Sequence, residues 1–412
     1  MLAVLTIINI INVVDRTLIS VLVPDIKRDL QLTDTQIGLL TGLSFAVFYV
    51  LFGLFLGWLA ERINRTRLIS LALTVWSGMT FLSGAAGSFF QILLCRFGVA
   101  TGEAGGSPPS YGMIADAFPQ RWRPTAMSIF TSAATIGAFV GLTAGGWIAQ
   151  IWGWRMAFYV TGAAGLLFVP LILFTVADPK RGATDAQVAE PVSLPYLVAL
   201  KRLLGTRSFR RLMFAGTMSA FAGYGLMLWL PSFLARSYGL SPGETGSVLG
   251  IASITTGLFG TYAAGEIARR LGERNLGWWA YTPALGFLTA VPALIAGIWF
   301  NNMWISIAAI FFCKIGMNSY VGPLWAATST VAPIGTRSIA SSVMLFGQIL
   351  LGLGLGPLLI GVMSDSIEAA YGQEALRYSL MIPVVAYLIG AFAYYMAGRT
   401  LEQDIAAANS AR

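Results

Sequence analysis

From Leu2 to Met396 the chain is a succession of apolar windows of about 20 residues, the length a helix needs to cross the hydrocarbon core of a bilayer. Short polar breaks separate the windows. Backbone amides placed in lipid must be satisfied inside a helix or a closed barrel, and windows this long and continuously apolar read as helices. Composition agrees: 56% of the 412 residues are hydrophobic and 11% charged, with a mean hydropathy of +0.73, too apolar for a chain whose main solvent is water. Spans are predicted near 2–22, 36–60, 68–88, 90–114, 124–148, 156–177, 209–233, 243–267, 277–299, 303–327, 338–362 and 378–398. The expected fold is an all-α polytopic membrane protein of twelve transmembrane helices, with no room for a soluble domain.

A net charge of +8 could indicate a nucleic-acid partner, but in a membrane chain the placement of the positive residues carries more information. With residue 1 on the inner side, the inner loops hold Arg62, Arg65, Arg67, Arg121, Arg123, Lys180, Arg181, Lys201, Arg202, Arg207, Arg210, Arg211, Arg269, Arg270, Arg274, Arg337, Arg399 and Arg412. The outer loops hold only Lys27, Arg28, Arg155, Arg236 and Arg377. That asymmetry predicts a multi-pass protein of the inner membrane with both termini cytoplasmic and no nucleic-acid partner. The first span has no basic leader and no small-residue cleavage site after it, so it is expected to be a retained helix. Cys95 and Cys313 both lie inside apolar windows, which supports neither a disulfide framework nor a metal cluster. There is no histidine, so any proton the chain carries must ride on Asp or Glu. No phosphate-binding loop or nucleophile arrangement is present, and neither catalysis nor a cofactor is expected.

The longest hydrophilic stretch, about Asp178 to Arg211, contains Pro179, Pro191 and Pro195 and divides the spans six and six. The expected division is a six-helix bundle over 1–177, a cytoplasmic linker over 178–208, a second bundle over 209–400 and a tail over 401–412. Four pairs of matching residues relate the halves. Val23-Pro24 matches Leu230-Pro231; Leu32-Thr33-x-x-Gln36-x-Gly38-x-x-x-Gly42 matches Leu240-Ser241-x-x-Glu244-x-Gly246-x-x-x-Gly250; Cys95-Arg96-Phe97-Gly98 matches Cys313-Lys314-Ile315-Gly316; and Arg123-x-x-Ala126 matches Arg337-x-x-Ala340. They fall in order at separations of 207 to 218 residues, as an internal duplication requires; shared helix-end chemistry is the plainer alternative. Two such repeats form pseudo-symmetric bundles with a substrate site between them near the bilayer midplane.

Five ionisable residues fall inside spans, where charge is costly and usually faces a cavity or a partner: Asp15, Arg16, Arg96, Glu103 and Lys314. Asp15 and Arg96 are each about 10 Å from the same face of the bilayer and can meet, while Glu103 lies seven residues beyond Arg96 on the same side of its helix. This arrangement predicts a ladder of charge in which Asp15 pairs with Arg96 and Glu103, standing more alone, is the better proton carrier. A structural Asp15–Arg96 pair is the plainer reading. Asn12 lies on the face of Asp15. Arg16, Arg96, Lys314, Asn12, Tyr224, Trp229 and Asn318 are the candidate substrate-binding residues, and Asp15 and Glu103 the candidates for proton coupling. The seventh span, around Tyr224-Gly225-Leu226-Met227-Leu228-Trp229, is apolar and aromatic. One charged wall facing one greasy wall suits an amphiphilic, anionic solute.

The candidates for moving parts are glycines, a proline and charged loop residues. Gly137-x-x-x-Gly141-x-x-x-Gly145-Gly146 offers a small-residue face to a neighbouring helix. Gly102-Glu103-Ala104-Gly105-Gly106-Ser107-Pro108-Pro109 should kink the fourth span or pack it closely. Glu61 and Arg65, spaced to pair along a helix, lie in the loop Gly57-Trp58-Leu59-Ala60-Glu61-Arg62-Ile63-Asn64-Arg65-Thr66-Arg67.

That loop resembles the signature of the major facilitator superfamily, with Asn64 where the family usually has glycine and Glu61 where it has aspartate. The resemblance implies that this loop, with Gly57, Glu61, Arg62 and Arg65, latches the two halves in the outward-facing state. Within the superfamily, Asn12-Val13-Val14-Asp15-Arg16, Gly102-Glu103-Ala104 and Met127-Ser128-Ile129-Phe130 are similar to the Spinster family. That likeness implies lysolipid or sphingosine-1-phosphate-like cargo and proton coupling through Asp15 and Glu103. Gly105-Gly106-Ser107 departs from the Ser-Tyr-Ser of animal members, and Asn-x-x-Asp-Arg also resembles carriers of hexuronates and other small organic acids. The sequence thus predicts a monomeric, proton-coupled carrier of an amphiphilic anion, with a sugar-acid carrier second and a channel or a non-transporting receptor as the rivals from other classes.

Overall fold

The computed structural model of the chain describes residues 1–60, 62–119, 122–180, 196–332 and 336–410, and all regular structure among them is helical. The membrane-crossing helices are α1 (Leu2–Leu30), α2 (Asp34–Ala60), α3 (Arg65–Ser83), α4 in two pieces (Phe89–Ala104 and Ser107–Ala117), α5 (Arg123–Trp152) and α6 (Trp154–Thr175). They continue with α7 (Arg207–Tyr238), α8 (Pro242–Gly272), α9 (Trp278–Trp299), α10 (Met303–Val331), α11 and α12 (Met381–Ser410). Helix α11 runs as Arg337–Phe346 and Gly354–Tyr371, joined by a π-helical stretch at Gly347–Leu353. Nine helical stretches among the described residues are long and apolar enough to cross a membrane. The last of these, Ile339–Ala406, contains both α11 and α12, which are parted at Gly372 with φ +54°. Helix α3 and the broken α4 complete the predicted twelve.

Helix starts explain one of the repeat matches. At α2 the Thr33 hydroxyl accepts from Gln36 N at 3.1 Å, while Thr33 N donates to Gln36 Oε1 at 2.9 Å. At α8 the Ser241 backbone donates to Glu244 Oε2 at 2.9 Å, and Glu244 N returns a 3.4 Å bond to the Ser241 hydroxyl. Both are capping boxes, each satisfying amides that a helix start leaves orphaned.

The chain divides by its contacts into two compact units, Met1–Val188 with Met227–Ile254, and Ala189–Leu226 with Thr255–Arg412. The far ends of α7 and α8 therefore belong with the first half, which the sequence division at 178–208 did not anticipate; "far" denotes the face where α1 ends. Small residues are the physical reason. Gly246 and Gly250 of α8 lie on α5 so closely that an added Cβ would stand 2.9 Å from the Leu142 carbonyl carbon and 3.2 Å from Phe139 O respectively. Trp147 Nε1 donates to Ser247 Oγ at 2.9 Å across the same seam, and Gly243 N donates to Gln150 Oε1 at 3.1 Å.

Within the first unit α1 packs on α5 and α6, α3 on α4 and α6, and α2 on α4. The α1–α5 contact uses the predicted glycine face: a Cβ on Gly137 would lie 2.7 Å from Val13 Cβ, and one on Gly141 would lie 2.9 Å from Val14 O. Within the second unit α9 packs on α10 and α12, with the Phe287 ring 4.8 Å from Tyr387 and 5.6 Å from Tyr394. Two expectations about the polar segments change. Residues Tyr196–Gly205, inside the expected linker, form a helix that buries Ala199 and Leu203. The expected tail continues α12 to Ser410, burying Leu401 and Ile405, and Asp404 Oδ2 accepts from Ser208 N at 2.8 Å. Residues 181–195 of the linker and 411–412 of the tail lie outside the described residues.

Candidate functional site

Helix α1 delivers Asn12, Asp15 and Arg16 to the interior of the first unit because α5 can approach it without side chains in the way. The neighbours that meet those residues come from α2, α3 and α4. Arg16 Nε is 2.5 Å from Glu103 Oε2, a direct ion pair between α1 and α4 in which Glu103 is fully buried and Arg16 a quarter exposed. Asn12, buried, stands beside the same carboxylate. Arg96 is buried one rung away on α4, and Asp15 and Glu103 are the carboxylates that act on it. Asp15 itself is buried, with the Thr80 hydroxyl of α3 beside its carboxylate. The four charges do cluster, but the contacts of the two acids are exchanged: Glu103 holds the direct arginine contact, and Asp15 lies near Arg96, Glu103 and the Thr80 hydroxyl without an ion pair among the described residues.

The exchange follows from geometry that the sequence order of Arg96 and Glu103 does not show. Gly102 sits against Trp76 of α3, where an added Cβ would lie 2.6 Å from Trp76 N, so the turn carrying Glu103 is drawn into the bundle. The helix then breaks at Gly105-Gly106 and restarts at Ser107, with Pro108 exposed in its first turn. The predicted kink and the predicted close packing therefore both occur, and they bring Glu103 within reach of Arg16.

Two aromatic residues that sequence reading missed complete the cluster. The Phe45 ring of α2 lies 5.3 Å from the Arg16 guanidinium carbon and 5.1 Å from that of Arg96, so both cations address one ring. Tyr49, one turn on, receives Arg16 at 4.6 Å and stacks near Phe45 with centroids 5.8 Å apart. Cation–π contact of this kind holds a guanidinium without neutralising it. The available signal was the i, i+4 spacing of Phe45 and Tyr49 in an otherwise apolar run, a pattern shared by many lipid-facing helices.

A second ionic cluster, also missed, closes the far end of this unit. Asp34, at the start of α2, is buried and receives Lys27 Nζ at 2.6 Å, Arg236 Nη2 at 2.6 Å and Arg236 Nη1 at 2.8 Å. At the near end Arg65 uses its whole guanidinium, bonding to Asp116 Oδ2 at 2.6 Å, Asp178 Oδ1 at 2.8 Å and Pro179 O at 2.7 Å. Its expected partner Glu61 lies outside the described residues. Asn64, in place of the family's glycine, caps α3 by accepting from Arg67 N at 2.9 Å, and Arg62 lies over the Trp58 ring at 3.9 Å. Gly57 faces open space.

The remaining candidates fall in α7 and α10. Trp229 is fully buried and groups with the first unit. Tyr224 is half-buried in the second unit. Lys314 and Asn318 are one turn apart on α10, the Asn318 amide donating to the Lys314 carbonyl at 2.9 Å.

Twelve long apolar helices with compensated charges inside a bundle define a polytopic membrane carrier. The profile of the Major Facilitator Superfamily matches residues 5–350. An "MFS-type efflux pump" of Mycolicibacterium smegmatis is 32% identical over 403 residues, covering 98% of this chain and 93% of that protein. Human "Protein spinster homolog 1" is 30% identical over 431 residues, covering 98% and 81% respectively. The crystal structure of a bacterial homologue of the human lysosomal transporter Spinster, in an inward-facing and unoccupied conformation, superposes with a TM-score of 0.89 at 29% identity, over 98% of this chain and 97% of that one. The chain belongs to the Major Facilitator Superfamily and is Spinster-like within it.

Proposed function

We propose that this member of the superfamily is a proton-coupled secondary active transporter that moves an amphiphilic, anionic solute of lysolipid type by alternating access. The observation that carries the reading is the Asp15–Arg16–Arg96–Glu103 cluster. Its formal charges balance, one carboxylate is in direct ion pairing with Arg16, and the other is buried beside the Thr80 hydroxyl and Arg96. Protonating a buried carboxylate removes a negative charge from the cluster, and an incoming anion beside the guanidinium groups adds one. Proton uptake at Asp15 or Glu103 and substrate capture at Arg16 and Arg96 are then two ways of changing the charge of one cluster. Asn12 orients the polar head, and Tyr224, Trp229, Lys314 and Asn318 are kept as candidate substrate contacts.

The Phe45 and Tyr49 rings favour an amphiphile over a sugar acid, because they offer apolar surface beside the cations. The loop-charge asymmetry supports an inner-membrane location with both termini cytoplasmic, and the chain is read as a working monomer. A thermal-unfolding panel of lysophospholipids, sphingosine-1-phosphate and hexuronates tests the substrate class, since a ligand that binds only the folded state raises its stability. The lysolipids are expected to raise the unfolding midpoint in the wild type and to lose that effect in Arg16→Ala and Arg96→Ala. Stabilisation by hexuronates alone would establish the sugar-acid reading instead.

A further inference from the structure

Helices α9 and α12 of the second unit run together but do not close over one another along their whole length. Between them is a groove of about 420 Å³ lined by Trp278, Tyr281, Leu285, Leu288, Leu388, Phe392 and Tyr395 over a floor of Ala284 and Ala391. Its residues recur every three or four positions on each helix, so each helix contributes one continuous stripe. The walls are open to the surroundings: Leu285, Leu288, Leu388, Phe392 and Tyr395 are all exposed. The near end is closed by backbone contact, since a Cβ on Gly277 would stand 2.7 Å from Gly398 O, and Tyr281 lies over Gly398 with its ring 5.8 Å from that of Tyr395.

The groove is graded along its length. Toward the bilayer interior its walls are Leu288 and Leu388; toward the near face they become Trp278, Tyr281 and Tyr395, the residue types that settle at a membrane–water interface. Just beyond that aromatic end stand two arginines. Arg399 follows Tyr395 by one turn on the same face of α12, and Arg274 lies four residues ahead of Trp278 in the turn that enters α9. Both are exposed, and neither forms an ion pair among the described residues. Glu402, one turn past Arg399, makes no ion pair with it among the described residues, and Glu273 is engaged with Arg269.

We propose that this groove is a binding site for one anionic phospholipid, with an acyl chain lying along the α9–α12 stripe and the phosphate held by Arg399 and Arg274. The site is on the outer surface of the second unit and uses none of the residues assigned to transport. An apolar, aromatic-topped channel at membrane depth accepts an alkyl chain from any phospholipid; the two exposed cations at its mouth select a headgroup with net negative charge. The lipid fills a groove that the protein leaves unpacked, and it thereby ties α9 to α12.

Native mass spectrometry and thermal unfolding of the purified chain, with phosphatidylglycerol or phosphatidylcholine added, test the proposal. Phosphatidylglycerol is expected to give a retained one-lipid adduct and a higher unfolding midpoint, and phosphatidylcholine much less of either. The paired substitution Arg274→Gln with Arg399→Gln should lower the adduct population at least fivefold and erase the preference. Leu288→Trp, which fills the groove from a lipid-facing position, should lower adducts of both lipids while leaving the charge in place. A photoactivatable phosphatidylglycerol in liposomes should cross-link to peptides containing residues 278–288 and 388–399. Equal retention of the two lipids in the wild type, no change in either variant, cross-links confined to other helices, or a stable dimer masking this face would each overturn the proposal.

Discussion

At the scale of single residues, the cluster in the first unit is held by complementary burial rather than by surface ion pairing. Glu103 is fully buried and its bond to Arg16 is its direct ionic contact. Removing one partner of a buried pair leaves an uncompensated charge and costs about 3–5 kcal/mol, whereas removing both costs much less. Arg16→Ala is therefore expected to destabilise the chain by about 3 kcal/mol and Arg16→Ala with Glu103→Gln by clearly less, as read from unfolding midpoints in detergent. A double variant less stable than Arg16→Ala would show that the pair does not behave as a coupled unit. The four charges themselves were legible in the sequence, because charge inside an apolar window is conspicuous. Which acid meets which arginine was not, since Gly102 shifts Glu103 inward by packing on Trp76 and that contact depends on a helix some 26 residues upstream.

At the scale of elements, the sequence showed where helices begin and which faces are narrow. The repeated Leu-Thr/Ser-x-x-Gln/Glu pattern proved to be a pair of capping boxes, and Gly137 and Gly141 proved to face α1. Patterns confined to one turn or one stripe can be read from spacing. The role of α8 was not readable in that way: its Gly246 and Gly250 meet α5 of the other half, and neither stripe names its partner. These contacts also separate glycines that matter for packing from one that does not. Gly141→Leu forces a side chain into the Val14 backbone and is expected to cost about 2 kcal/mol or more, with reduced yield of folded protein. Gly57, with nothing within 4 Å of an added Cβ, should accept alanine with a change within about 0.5 kcal/mol. Size-exclusion profiles and unfolding midpoints of the two variants distinguish these outcomes, and equal behaviour would contradict the packing account.

At the scale of the whole molecule, the succession of apolar windows and short polar breaks gave the number of crossings, because lipid leaves the backbone few ways to satisfy its amides. The division of the chain was harder to read. The hydrophilic stretch marks where the sequence halves meet, but packing carries residues 227–254 into the first unit, where Arg236 reaches Asp34. Linker composition reports solvation and says nothing of which surfaces are complementary. In the proposed function, protons and an amphiphilic anion share the Asp15–Arg16–Arg96–Glu103 cluster. The most direct test is lysolipid transport into proteoliposomes under an imposed pH gradient, with the wild type beside Asp15→Asn and Glu103→Gln. The gradient is expected to accelerate the wild type several-fold and each substitution to abolish the acceleration, with lysolipid still stabilising Asp15→Asn. Undiminished acceleration in Glu103→Gln, or in both variants, would contradict the proposed function.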